Sequence, residues 1–138
     1  MNKTERGRVA ETRAQQFLEQ AGLRFIARNV HSRTGELDLI MTDGNTVVFV
    51  EVRSRKRSRF GNAASSINLH KQRRLLASSQ LYLQRRQWSH RPARIDVIAI
   101  DLPDSLQPGD NQQQISAEHI SWLRGAISSD SLADFQDG

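Results

Sequence analysis

The 138-residue sequence contains no cysteine, and this absence excludes disulfide bonds, thiolate metal sites and cysteine nucleophiles. Long apolar runs are missing as well: Val47 to Val50 and Val97 to Ile100 fall far below the roughly 18 residues that cross a bilayer. The N-terminal stretch MNKTERGRVAETRAQ has no apolar segment of the kind found in secretory signals. We therefore expect a cytoplasmic protein, in a reducing compartment, with no membrane partner.

Acidic side chains are missing from the middle of the chain, where the basic ones are concentrated. Residues 52–95 carry 12 Lys and Arg and no Asp or Glu, whereas residues 1–51 carry 7 of each and residues 96–138 carry 1 and 8. Such a block builds a positive field that suits a polyanion, and nucleic acid is the first candidate. The alternative is that these cations neutralise the acidic C-terminal third by intramolecular pairing.

Hydrophobic periodicity predicts an α/β protein with the element order α-β-β-β-α-β and a further element at the end. Helices are predicted over residues 5–21 and 68–87, where apolar side chains recur at helical spacing. Strands are predicted in LRFIARNV, in both arms of the hairpin GELDLIMTDGNTVVFVEVRSR and in RIDVIAI. We expect one domain over residues 1–127, followed by a frayed acidic tail over residues 128–138.

Smaller signals concern the C-terminal part of the sequence. The stretch ISAEHISWLRGAI is predicted to form a short strand that leads into a helical turn and buries Trp122 and Leu123. Asp96 lies within an apolar strand and is expected to pair with a basic side chain rather than bind a metal. For Trp88 and Trp122, core packing or a dimer contact is favoured over stacking on bases.

The hairpin has one apolar face and one face that becomes charged away from its turn. With Asp43 and Gly44 as the turn residues, Asp38 lies opposite Phe49. Alternation of side chains places one apolar set together on the first face: Leu37, Leu39, Val48, Val50 and Val52. The second face carries a charged set: Glu36, Asp38, Glu51 and Arg53.

Charges on this face suggest a metal site. Asp38 and Glu51 become diagonal neighbours, and two carboxylates at that separation repel unless a cation or a proton lies between them. Mg²⁺ or Mn²⁺ would resolve the repulsion, because hard divalent cations take carboxylate oxygens and water. Arg53 is placed to neutralise charge on a phosphate. The alternative is a solvated sheet face on which Arg53 pairs with a carboxylate.

These residues resemble a known motif. An acidic residue on one strand followed by Glu-x-Lys on the next is the signature of the PD-(D/E)XK nuclease superfamily, which appears here as Asp38 and Glu51-Val52-Arg53. The sequence is similar in more detail to the YraN family of small uncharacterised bacterial proteins, predicted to be endonuclease-like and similar in fold to Holliday-junction resolvases. The further matching segments are Gly7, Glu11, Arg28-Asn29, GELDLI, VFVEVRSR, Phe60-Gly61, Lys71 and RIDVIAI.

The resemblance implies a restriction-endonuclease-like core, with a central mixed β-sheet and flanking helices. It implies that Asp38 and Glu51 bind Mg²⁺ or Mn²⁺, that Glu11 is a further acidic residue near the metal, and that all three act in catalysis together with Arg53. The sequence departs from the superfamily pattern at Arg53, where the pattern has Lys. Arginine keeps the positive charge but never loses its proton and differs in shape from a compact ammonium.

A basic surface is predicted beside this site. Five cations fall within seven residues, and three further ones share a side of the second helix, so that together they could follow a phosphodiester backbone. Besides Arg53, the predicted nucleic-acid-binding residues are Arg55, Lys56, Arg57, Arg59, Lys71, Arg74 and Arg85. Contacts of this kind bind without reading bases, so structure-selective or end-selective binding is expected.

The sequence favours a metal-dependent DNA endonuclease. One alternative is a non-catalytic nucleic-acid-binding module that retains the nuclease fold, which the arginine at position 53 favours. Another is an interaction protein in which the acidic tail and the basic middle of the chain pair between the subunits of a homodimer.

Overall fold

The computed structural model of the protein describes residues 2–56, 67–111, 113 and 115–128. Within these ranges the helices are α1 (Lys3–Gln20) and α2 (Leu69–Arg85). The strands are β1 (Arg24–Ser32), β2 (Gly35–Asp43), β3 (Thr46–Lys56), β4 (Ala93–Leu102) and β5 (Ile120–Ile127). The predicted α/β order is thus confirmed. The tail predicted over residues 128–138 lies outside the described residues, except for Ser128.

The C-terminal element differs from the prediction for ISAEHISWLRGAI. A short 3-10 turn, Ala117–His119, comes first and the strand β5 follows it, so the predicted order of the two was wrong. Trp122 is half-buried, but Leu123 is 40% exposed because β5 lies at the edge of the sheet. Ile115, Ile120 and Ile127 provide the buried side chains of this segment instead.

The five strands form one mixed sheet in the order β1-β2-β3-β4-β5. Only β3 and β4 run parallel, and α2 makes the crossover that a parallel connection requires. The other neighbouring strands are antiparallel. This arrangement, with the helices flanking the sheet, confirms the α/β class and is consistent with a restriction-endonuclease-like fold. Neither α1 nor α2 is long and apolar enough to span a membrane.

Each helix covers one apolar face of the sheet. The buried cluster that includes α1 is formed mainly by Ala10, Ala14, Leu18, Leu39, Met41, Val48, Val50, Ile98 and Ile100. The cluster that includes α2 is formed by Leu37, Ile40, Val47, Phe49, Leu75, Ile95, Val97 and Ile127. Residues from β2 and β3 alternate between the two clusters, as the pleat of a strand requires. The central strands β2, β3 and β4 are therefore buried on both faces, whereas the edge strands β1 and β5 are partly exposed.

The β2–β3 turn lies one residue later than predicted. Asp43 pairs with Thr46, so Gly44 and Asn45 are the central turn residues, and Gly44 has the positive φ of +59°. Glycine is favoured at the first central position of a two-residue hairpin turn that requires positive φ there. The predicted opposition of Asp38 and Phe49 was therefore wrong, because Phe49 pairs with Ile40. A shift of two in the register keeps the side chains of the paired region, Leu39 to Asp43 and Thr46 to Val50, on their predicted faces.

Leu37 is an exception to the predicted faces. It packs in the α2 cluster together with Val30 of β1, whereas alternation from Leu39 would place it beside α1. Asn29 lies on β1 between Arg28, which pairs with Leu39, and Val30, which pairs with Leu37, and it has a left-handed φ of +53°. Asparagine tolerates this conformation better than most residues. The local rotation of the backbone at Asn29 accounts for the change of face at the level of Asp38.

Asp96 pairs with a basic residue, as predicted, and also organises the edge strand. Its side chain is fully buried and accepts hydrogen bonds from Arg94 Nε at 3.1 and 3.2 Å and from Trp122 Nε1 at 2.9 Å. It also accepts one from the Gly125 amide at 2.8 Å. The β4–β5 register shifts at this point, and Gly125 has φ +57°. The carboxylate thus replaces the missing ladder partner at a bulge.

Replacement Asp96→Ala is expected to lower the free energy of unfolding by about 3 kcal/mol, because it leaves buried donors without their acceptor. Urea denaturation monitored by Trp fluorescence measures this change. The control is Glu19→Ala, which removes an exposed carboxylate from α1 and should change stability by less than about 0.5 kcal/mol. A loss below about 1 kcal/mol for Asp96→Ala would contradict the role assigned to this network.

Candidate active site

The candidate site lies where β2 separates from β3. Their pairing begins at the turn and ends at Leu39 and Val50, one residue before Asp38 and Glu51. Beyond this point the Asp38 carboxylate accepts a hydrogen bond of 2.9 Å from the Val52 amide, in place of a backbone carbonyl. The separation of the strands thus leaves the two carboxylates adjacent at the end of the paired region, and Asp38 stays attached to β3 through its side chain.

Glu51 is a buried carboxylate next to another carboxylate. The residue is 3% exposed, and burial together with the negative charge of Asp38 raises the pKa of Glu51 to about 8. A hydrogen bond between the two side chains favours the protonated form further, while Lys71 and Arg53 oppose the rise in pKa. Within the described residues, Glu51 Oε2 has no hydrogen-bond partner; Lys71 Nζ lies 3.8 Å from it. The Glu51 carboxylate can therefore take up a proton or a cation.

Glu11 approaches the site from α1. Its Oε1 lies 3.5 Å from Arg28 Nη2 on β1, and Arg28 also donates to Thr12 Oγ1 at 3.1 Å. Burial and the negative charge of Asp38 raise the pKa of Glu11, while Arg28 and a hydrogen bond with Asn29 oppose the rise. The negative charge of Asp38 therefore acts on both of the other carboxylates, Glu11 and Glu51.

The arrangement offers two adjacent carboxylates that could hold a hard cation, without a complete cage around it. In the part of the chain that the structure describes, no group of three or more His, Cys, Asp or Glu side chains is arranged to hold a metal ion. Glu11 is held by Arg28, so Asp38 and Glu51 form the carboxylate pair. Carboxylate oxygens and water are what Mg²⁺ and Mn²⁺ prefer, and the Glu51 oxygen without a hydrogen bond fits such an ion.

The predicted nucleic-acid-binding residues are distributed unevenly around this site. Lys71 lies at the carboxylate pair, and Arg74 is exposed on the next turn of α2, with its Nε 3.4 Å from the Thr34 carbonyl oxygen. Arg85 is exposed in the last turn of α2, about 21 Å from Lys71 along the helix axis. Arg55 pairs with Asp101 at 3.3 Å. Lys56 ends β3, whereas Arg57 and Arg59 lie outside the described residues.

Some site features were not identified in the sequence. The interpretation of the hairpin included Glu36, but this residue is exposed and lies 3.2 Å from His31, away from the carboxylate pair. Conversely, Arg28 and Asn29 entered only as matching motif residues, although they orient Glu11 and redirect β1. The available signal was an Arg-Asn pair within an apolar strand, where neither residue contributes to a core.

The raised pKa of Glu51 predicts how stability changes with pH. A carboxyl group whose pKa rises from 4.5 to about 8 on folding contributes stability that is fully present below 4.5 and is lost as the pH rises through about 8. Relative to Glu51→Gln, the wild-type protein should therefore lose free energy of unfolding between about pH 5 and pH 8 in metal-free buffer. Urea titrations at several pH values measure the difference.

The control for this measurement is Glu19→Gln, which changes an exposed carboxylate on α1 and should retain the pH dependence of the wild type. Identical slopes for the wild type and Glu51→Gln over this range would show that Glu51 is ionised at neutral pH in the folded protein.

Comparison with known proteins places the chain in a family. The model of the uncharacterised protein family UPF0102 matches residues 10–100. UPF0102 proteins of Stutzerimonas stutzeri and Pseudomonas aeruginosa LESB58 are 43% and 46% identical over 89% of this chain, covering 94% and 92% of their own lengths. A UPF0102 protein of Colwellia psychrerythraea is 42% identical over 91% of each chain. The chain therefore belongs to the uncharacterised family UPF0102, the YraN family that its motifs resemble.

Proposed function

We propose that the protein is a metal-dependent phosphodiesterase that cleaves nucleic acid, with DNA as the preferred substrate. The observation that carries the proposal is the buried Glu51 carboxylate, which lies beside Asp38 and has its pKa raised to about 8. Placing two carboxylates together in a buried position destabilises the fold unless a cation or a proton compensates their charge, and groups perturbed in this way cluster at functional sites. A pair of carboxylates of which one has a raised pKa, at the point where two strands separate, suits a site that binds a cation.

Asp38 and Glu51 are the residues that would hold Mg²⁺ or Mn²⁺. Glu11, which pairs with Arg28, is a further carboxylate near them. When bound, such an ion supplies a Lewis acid that polarises a phosphate oxygen and lowers the pKa of a coordinated water. Glu51 must lose its proton to serve as a ligand, so cation binding at neutral pH is coupled to proton release. The Val52 amide orients Asp38 through its hydrogen bond.

Positive side chains around the carboxylates support a phosphodiester substrate. Arg53 lies on β3 two residues after Glu51 and acts on its pKa as a nearby positive charge, which suits a role in neutralising phosphate. Arg74 adds an exposed cation on the neighbouring helix. Within the basic block over residues 52–95, Arg55 and Arg94 pair with acidic residues outside the block, whereas Arg74 is exposed and donates to the Thr34 carbonyl oxygen. Contacts between such cations and phosphate hold a backbone without selecting a base sequence.

A second candidate is a nucleic-acid-binding module without turnover. It is favoured by the absence of a three-residue metal cluster among the described residues and by Arg53 at the lysine position of the superfamily pattern. The two candidates share the basic surface and differ in whether the carboxylate pair supports hydrolysis.

The test of the first candidate is cleavage of labelled linear, single-stranded, flapped and four-way-junction DNA in Mg²⁺ or Mn²⁺. Wild-type protein should cleave at least one of these substrates and lose activity in excess EDTA. Asp38→Asn and Glu51→Gln should each reduce the rate by about a hundredfold or more, because each removes one of the two adjacent carboxylates.

The matched control is Glu36→Gln, which neutralises a carboxylate of the same hairpin that is exposed and away from the pair. It should cleave at the wild-type rate. Absence of cleavage on all four substrates with both metals would remove the first candidate, and salt-sensitive binding would then support the second.

Binding should weaken steeply with salt, because the contacts are made by cations and release counterions from the nucleic acid. Fluorescence anisotropy on one duplex over a series of salt concentrations measures the slope of log Kd against log salt. Arg74→Gln should reduce this slope by about one and weaken binding equally for unrelated sequences. Sequence-dependent effects of Arg74→Gln would indicate base readout instead.

A further inference from the structure

Lys71 is in an unusual position for a cation. It lies in the first turn of α2, where Asn68 caps the helix by accepting a hydrogen bond of 2.8 Å from the Lys71 amide. The helix dipole disfavours positive side chains at this end, and the first turn of α2 has no acidic residue to offset the effect. The local sequence of the helix therefore does not explain Lys71, and its role must come from what the side chain faces.

The side chain faces the buried carboxylate. Lys71 Nζ lies 3.8 Å from Glu51 Oε2, the oxygen that has no hydrogen-bond partner within the described residues. The Glu51 side chain is 4% exposed and the Lys71 side chain is 33% exposed, so the ammonium stands between the buried acid and solvent. An ammonium has three donors, and at 3.8 Å its attraction to Glu51 involves no hydrogen bond, so donors remain for a group that enters from solvent.

Arg53 does not provide an equivalent group. A guanidinium is planar and rigid, whereas the lysine of the superfamily pattern is a compact ammonium on a flexible stem. Lys71 reaches Glu51 with such an ammonium from α2, which packs on the face of β3 that carries Val47 and Phe49, so the structure contains the missing chemical group at a different position in the sequence.

We propose that Lys71 is a catalytic residue, the functional equivalent of the lysine absent at position 53, and that its ammonium contacts a non-bridging oxygen of the scissile phosphate beside Glu51. This inference rests on the proposed hydrolysis of phosphodiesters. In that reaction the oxygen of water bonds to phosphorus and the bond from phosphorus to the leaving oxygen breaks. One proton of the water passes to the leaving oxygen and the other to solvent. Lys71 keeps its charge throughout and transfers no proton.

Loss of the Lys71 side chain should have a different effect from loss of a side chain that only contacts the phosphate backbone of the nucleic acid. A single lysine that only holds phosphate weakens binding uniformly and changes the salt slope by about one. A donor that stabilises charge in the transition state contributes about a hundredfold or more to the rate when substrate is saturating. Lys71 should therefore affect kcat much more than affinity.

The experiment compares Lys71→Met with Arg73→Met, which removes an exposed cation from the same helix two residues later. Methionine preserves the length of the apolar stem, and Lys71→Arg serves as a second variant that retains the charge in case Lys71→Met unfolds. On the DNA substrate that the wild type cleaves best, kcat should fall about a hundredfold in Lys71→Met, while Kd measured in EDTA rises only a few-fold. Arg73→Met should stay within about threefold of the wild type in kcat.

The outcomes separate this inference from the function on which it rests. If Asp38→Asn abolishes cleavage and Lys71→Met retains it, Lys71 has no catalytic role and the nuclease proposal stands. If Lys71→Met lowers kcat/KM and raises Kd by the same factor while kcat is unchanged, the inference is also overturned. Lys71 would then be a binding contact only. If the wild type cleaves nothing, the proposed function and the inference both fail.

Discussion

The repulsion between Asp38 and Glu51 is the interaction around which this structure is built. Two carboxylates share a largely buried position, and the fold opposes their repulsion with Lys71 and Arg53 beside Glu51 and with the Val52 amide beside Asp38. Each of these groups comes from a strand or helix whose position the apolar clusters determine. The core therefore provides the energy that holds together charges that would otherwise separate.

The location of the pair follows from the strand geometry. Up to Leu39 and Val50 the hairpin is an ordinary antiparallel ladder with both faces buried. Beyond this point β1 and β2 rotate together near Asn29, and β3 continues beside β4 instead of β2. Side chains that strict alternation would place on the two faces of the sheet therefore meet in the space between β2 and β3. α1 and α2 can then each direct one polar residue, Glu11 or Lys71, toward the same place.

Much of this could be predicted from the sequence because it depends on local patterns. The periodicity of the helices, the alternation in β2 and β3 and the motif of Asp38 with Glu51-Val52-Arg53 are all short-range signals. The hairpin register was missed because Asp43-Gly44 and Gly44-Asn45 both suit a two-residue turn. The change of face at Leu37 depends on one backbone angle at Asn29, and the contact of Lys71 with Glu51 depends on how α2 docks. The Arg28-Asn29 pair is the only local signal of the first, and the docking of α2 has none.

The bulge at Asp96 also affects the outer edge of the molecule. β5 is an edge strand, and a straight edge presents a row of backbone groups to which another chain can add a strand. At Gly125 the backbone turns through a left-handed conformation, and its amide points inward to Asp96 instead of outward. The edge is interrupted near its middle, which discourages strand addition there. The buried acid thus removes one backbone donor from the β5 edge, in addition to stabilising its own strand.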